Sequence, residues 1–360
     1  SRYYKKLFGK SSNELIKSLS YASKILPFFT LVHGVSASNN SYWPEMYENM
    51  SIVENAPHLP YSYDLHKPSR FGMSTSQDPN LIMSPIELAN CIYNKKNIKK
   101  YSPITMANWF NEYSNKARTN LVKAIKKITN KNDPEFLRLE IDIKILIGIG
   151  KFFSYKIKSA CYWELYIKEK KFNLGYQSLQ FYKKSYSAWS KIAKISKKFY
   201  LEDLTYGPQS WLRGRWDDRL PAIKDDIIKM TNILNRNFIK SKKQINIFEL
   251  SRWNNNQSFH IDHTIEKKSD RSVDITINNL NKINVELFFN YRQVNQSKKW
   301  QRNKINALKN RFTVKKFNNF LKQNYPIQYY FELVEKKYSC FCPGINKDLS
   351  NQPYYVYDNI

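Results

Sequence analysis

The feature that most restricts this chain is a change in its hydrophobic period near Trp253. Before that point apolar residues recur at three, four or seven; after it they alternate, and no single element can satisfy both periods. Met106, Trp109, Phe110, Tyr113, Ala117, Leu121, Ala124 and Ile128 make one helical stripe, and Leu179, Tyr182, Tyr186, Trp189, Ala193 and Tyr200 make another. Ser84-Pro85-Ile86-Glu87 reads as a capping box with proline at the first helical position, and Ser102-Pro103 repeats the entry. A further helix is expected from about Pro134 to Lys170, with breaks at 130–133 and 173–175. Short connections of that kind favour antiparallel neighbours, so the middle of the chain reads as a helical bundle.

Beyond Trp253, residues 272–277, 285–292, 328–333 and 354–357 alternate as short strands, which predicts an antiparallel β-sandwich. Ahead of the bundle, the apolar run Ile25–Val32 reads as a buried strand ending at His33, followed by a long aromatic loop to about Pro79. The expected organisation is therefore multidomain α+β with three parts: 1–83 rich in loops, 84–250 helical, and 251–360 a sandwich. The opening Ser-Arg-Tyr-Tyr lacks an initiator methionine and a signal-peptide pattern, which suggests a fragment of a longer protein. The richest apolar stretch, 141–153, carries Lys144 and Lys151, so no membrane span is expected.

The formal charge of +29 would suit a polyanion partner if it were focused. It is spread instead, since each part of the chain carries more cations than anions. The densest cluster, Lys191, Lys194, Lys197 and Lys198, falls at helical spacing and reads as a solvated face. Nucleic acid is thus the weaker reading. Cys91, Cys161, Cys340 and Cys342 give no metal spacing, and His260-Ile261-Asp262-His263 lacks further ligands. No nucleophilic triad or phosphate loop occurs, so neither a metal nor a cofactor is expected.

Three constellations could carry chemistry. The first holds His33, Asn40, Trp43 and Glu45: an aromatic ring can stack on the apolar face of a sugar while a carboxylate acts on the glycosidic oxygen. Equally, Trp43 could anchor a loop and Glu45 be solvated. The second spans Asp64, Arg70 and Asp78, where Arg70 could clamp a planar carboxylate or pair with Asp64. The third, Trp211, Arg213, Arg215, Trp216 and Asp217, could face a ligand or bolt helices together through Arg–Asp pairs and Arg–Trp stacking.

Three stretches resemble the C-terminal region of large bacterial glycoside-hydrolase-like proteins, loosely the α-glucuronidase and hexosaminidase groups. They are Ser38 to Glu45, Leu204 to Pro221, and Tyr291 to Gln296 with Pro326 to Leu333 and Asn351 to Tyr354. The resemblance implies a TIM-type α/β barrel of which 1–83 would be the end, then a helical region and an immunoglobulin-like sandwich. It also implies hydrolysis of an acidic or amino-sugar glycan and a secreted or periplasmic location; the constellations themselves, not the resemblance, offer Glu45 and Asp64 as candidate catalytic carboxylates. The alternative is a non-catalytic module that binds carbohydrate or protein.

Overall fold

The computed structural model describes residues 2–33, 51–55, 70–205, 213–236, 259–267, 273–277, 286–295, 297–305, 311–314, 325–335 and 338–358. The chain divides into two compact units. One contains residues 1–95 and 102–254; the other contains 96–101 and 255–360.

The first unit is helical from its start. It comprises α1 Arg2–Phe8, α2 Ser12–Ala22, α3 Ile25–Val32, α4 Pro85–Tyr93, α5 Pro103–Lys127, α6 Pro134–Glu169, α7 Phe172–Ser196 and α8 Leu220–Arg236. The strand expected over 25–32 is thus a helix, and the described part of 1–83 supplies helices rather than the last strand of a barrel. The reason is visible in the packing. Ile25, Phe28 and Phe29 are buried at spacings of three and four, with Phe28 against Trp109, Phe110 and Tyr113 of α5, and Phe29 against Phe153 of α6. Pro27 sits in the first turn, where the N–H that proline lacks would have no intrahelical acceptor. A short apolar run fits either period, and here the aromatic partners chose the helical one.

The caps stand where the sequence places them. Ser84 accepts from the Glu87 N–H while the Glu87 carboxylate accepts from the Ser84 N–H, and Ser102 and Asp133 cap α5 and α6. Ser84→Ala is expected to lower the unit's stability by about 1 kcal/mol in urea denaturation, the usual cost of a lost cap. At 36 residues, α6 is about 54 Å long and forms the spine. Its serines bond to carbonyls of its neighbours: Ser154 donates to Ala107 of α5, and Ser159 donates to Ser178 of α7, whose neighbour Ser185 donates back to Phe152. The break expected at 173–175 falls instead at Lys170, which closes α6 in the left-handed region. Gly175 lies inside α7 because a Cβ there would strike Leu234 of α8 and Tyr166 of α6. By length and composition the helical run Arg2–Val32 could cross a membrane. Its Leu15, Ala22, Ile25 and Phe28 are fully buried, so the same apolar face already serves as core.

The second unit holds β3 His263–Lys267, β4 Val273–Ile277, β5 Glu286–Gln293, β6 Gln301–Ile305, β7 Arg311–Val314, β8 Ile327–Glu335, β9 Tyr338–Cys342 and β10 Tyr355–Tyr357. One antiparallel sheet runs β10-β8-β5-β6, with β9 sharing the β10 edge of β8; the other runs β3-β4-β7. Ile275 and Ile277 from the smaller sheet share a core with Leu287, Phe289, Tyr291 and Phe331 from the larger. His263 is placed in that unit by aromatic packing, with Tyr329, Phe331 and Tyr355 edge-on to its ring. Residues 96–101, which leave the helices between α4 and α5, are sewn into the same unit: the Ser339 N–H donates to Ile98 O, and the Ile345 N–H donates to the Tyr101 hydroxyl. Burial pushes the Tyr101 phenol up to about 12.

Candidate functional site

Described residues from each of the three constellations meet one buried frame in the helical unit. The chain leaves α3 at His33 and returns at Arg70 and Phe71, and there the two ends stack: the His33 and Phe71 rings lie 4.4 Å apart. The Phe29 ring also stacks with the imidazole, at 5.3 Å. From Phe71 an aromatic path runs to Phe153 at 6.5 Å, Phe152 at 5.0 Å and Trp189 at 4.8 Å. The Trp189 indole N–H donates to the Trp216 carbonyl at 2.7 Å, and Tyr200 meets Trp216 edge-on at 5.1 Å. His33 of the first constellation, Arg70 of the second and Trp216 of the third are therefore attached to one continuous core.

A second tie comes from residues 51–55, which lie between the first two constellations. Asp226 of α8, itself 4% exposed, accepts from the Ser51 hydroxyl and from the Ile52 N–H. Lys229 one turn on donates to Glu54 at 3.0 Å, and the Phe71 N–H donates to Ser51 O at 2.8 Å. Residues 213–219 lead directly into α8, so the third segment and this anchor share a helix. Asp226→Ala is expected to cost about 1 to 3 kcal/mol of stability by leaving the Ile52 amide unpaired; thermal unfolding measures it.

The polar groups on the frame have distinct environments. Arg70 grips Glu164 with two bonds of 2.8 Å, and the glutamate side chain is only 2% exposed. Glu164 is a carboxylate partner that the sequence did not offer. Gly72 allows the fit, since a Cβ would lie 2.6 Å from Glu164 Oε1. Lys156, fully buried, places its ammonium over the Phe71 and Phe152 rings at 4.6 and 5.5 Å. His33 has no hydrogen-bond partner for either ring nitrogen among the described residues. Burial, reinforced by the nearby Lys156 charge, pushes its pKa down to about 3, so it is a neutral ring at physiological pH.

The third constellation is held by its own charges. Arg215 donates to both Asp217 oxygens at 2.7 and 3.0 Å, and its N–H donates to Asp218. The guanidinium holds the Asp217 carboxyl below its ordinary range. Trp216 is 2% exposed. These residues therefore bolt the start of α8 to α7. Arg213 pairs with Thr205 through the backbone in a two-residue ladder, β1 Leu204–Thr205 with β2 Arg213–Gly214. Asp78 opens a turn, its side chain accepting from the Asn80 N–H at 3.2 Å. Asn40, Trp43, Glu45, Asp64 and Trp211 lie outside the described residues.

Sequence reasoning missed Lys156, Glu164 and Asp226. A signal existed for the first two: they are charges eight residues apart among the apolar and aromatic residues of α6, where a charge needs a partner or an aromatic face. Among the described residues no cluster of three metal-ligating side chains occurs.

No protein-family model matches the chain, and no curated protein matches it. Among solved structures, the chain is similar to a GH138 enzyme targeting pectin rhamnogalacturonan II, at 18% identity and a TM-score of 0.52. The match covers 65% of this chain and 35% of that one, so the chain spans about a third of the length of its neighbour. In fold, this mixed helical and antiparallel-sheet chain is similar to part of a glycoside hydrolase.

Proposed function

We propose that the chain is part of a carbohydrate-active enzyme and contributes one edge of a glycan cleft, with the segments bearing Trp43, Glu45 and Asp64 forming that edge. The observation that carries the reading is the convergence of the segments: the stretch 34–69 begins and ends at the His33–Phe71 stack, and its middle is fastened to α8 by Asp226. A rigid frame at the ends and middle of that stretch is what positioned catalysis needs. The fold likeness to a glycoside hydrolase supports the same class. In this reading the α/β catalytic barrel expected from the sequence lies outside residues 1–360, and the sandwich is an immunoglobulin-like accessory module. The described part of the frame is structural: Arg70 supports the site through Glu164 and is not itself free to clamp a substrate.

Trp43 supplies the stacking surface. Titration of the whole chain with a panel of neutral, acidic and amino-sugar oligosaccharides should find a ligand whose affinity falls about tenfold, or about 1.4 kcal/mol, in Trp43→Ala. Binding unchanged by that substitution, or none across the panel, would remove the glycan reading.

A further inference from the structure

Away from that frame, the exposed side of the α5–α6–α7 layer carries a cleft of about 540 Å³, within the range of small-molecule sites. Its floor is aliphatic, with Val122 and Ile125 from α5, Ile147 from α6 and Ile195 from α7. Val122 is 47% exposed, an unusual place for a valine in a helix that buries so much else. The walls carry five cations, Arg118, Lys144, Lys151, Lys184 and Lys191, drawn from all three helices. Only Lys144 has a carboxylate partner, Glu140, among the described residues.

The remaining cations are held without counter-charge. Lys151 donates to the side-chain oxygens of Asn111 and Asn115 at 2.5 and 2.6 Å. Lys184 sits 5.3 Å from the Phe181 ring centre. Burial, then the charges of Arg118 in the cleft and Lys158 beyond it, depress the Lys151 pKa, so Arg118 and Lys151 repel one another across a half-buried space. A ligand anion there would relieve that repulsion.

We propose that this cleft binds a single-chain anionic amphiphile, with its acyl chain on the aliphatic floor and its carboxylate or phosphate head among Arg118, Lys151, Lys184 and Lys191. Other occupants fit less well. A sugar would meet one aromatic ring, Tyr155, and two side-chain hydroxyls, those of Tyr155 and Ser187, beside aliphatic side chains that offer its hydroxyls no partners. A peptide helix about 10 to 12 Å across would ride on the rim without filling a cleft of this volume.

The test is isothermal titration of the whole chain with decanoate below its critical micelle concentration, beside decanol, propionate and anionic phospholipid vesicles. Decanoate should bind one per chain and raise the midpoint of thermal unfolding, while decanol and propionate each bind at least about tenfold more weakly. Lys184 and Lys191 are exposed, so the double substitution Lys184→Glu with Lys191→Glu should leave the helical circular dichroism unchanged while abolishing decanoate binding. Val122→Asp should do the same from the apolar side. Equal binding of decanol and decanoate, retention of decanoate binding in the charge-reversed variant, or binding to vesicles without binding to decanoate would each overturn the proposal.

Discussion

Arg70→Ala is expected to destabilise the helical unit by about 3 to 5 kcal/mol, because it leaves the Glu164 carboxylate buried with its bidentate partner gone. The glutamate side chain is 2% exposed and Gly72 presses on it, so water has little room to replace the guanidinium. The size of the effect reflects a stranded charge more than the worth of the pair. Replacing both residues, Arg70→Met with Glu164→Leu, should therefore recover most of the loss, since well-packed apolar side chains often match a buried ion pair. Urea unfolding of the two variants decides it: a single substitution costing under about 1 kcal/mol would mean that the pair is solvated and behaves as a surface bridge.

The second large effect is a dependence of stability on pH. His33 is pushed down to about 3 in the folded chain by burial and by the Lys156 charge, against about 6.5 in an unfolded one. Between those values the unfolded chain binds the extra proton, so the stability His33 contributes is complete above about pH 6.5 and is lost as pH falls toward 3. At about 1.4 kcal/mol per unit, the upper bound is roughly 3 kcal/mol lost by pH 4. His33→Phe keeps the stack between Phe29 and Phe71 and removes the proton. The variant should be as stable as the parent at pH 7, since neither ring nitrogen has a partner among the described residues, and should lose less stability between pH 6.5 and 4. Identical slopes in parent and variant would show that the imidazole is hydrated.

Much of the helical unit is legible in residues whose local chemistry and burial agree. Ser84, Ser102 and Asp133 announce helix starts because a cap is a local hydrogen bond. The stripe from Met106 to Ala124 faces inward as its spacing predicts. Two kinds of feature are not legible. Ile25–Val32 has strand-forming composition over too few residues to fix a period, and only contacts with Trp109 and Phe153, far along the chain, decide it. The 96–101 segment lies between two helices in sequence yet belongs to the sandwich, because its pairing with Ser339 and Ile345 is nonlocal.

For the site, the residue types were visible but not their partners. Arg70 reads as an arginine seeking a carboxylate, and the structure gives it Glu164, 94 residues away and beyond the reach of local sequence reasoning. The third constellation carries both an Arg–Asp pair and a tryptophan, and in the structure Arg215, Trp216 and Asp217 act as the bolt between α7 and α8.

The most direct test is turnover of a panel of acidic and amino-sugar glycans by the full-length protein that contains this chain, comparing the parent with Glu45→Gln. The expected result is glycan cleavage by the parent and its loss in Glu45→Gln, with the unfolding midpoint of the variant unchanged. Near-normal turnover in the variant, or no cleavage of any glycan by the parent, would contradict the proposal that this chain forms the edge of a glycan-cleaving site.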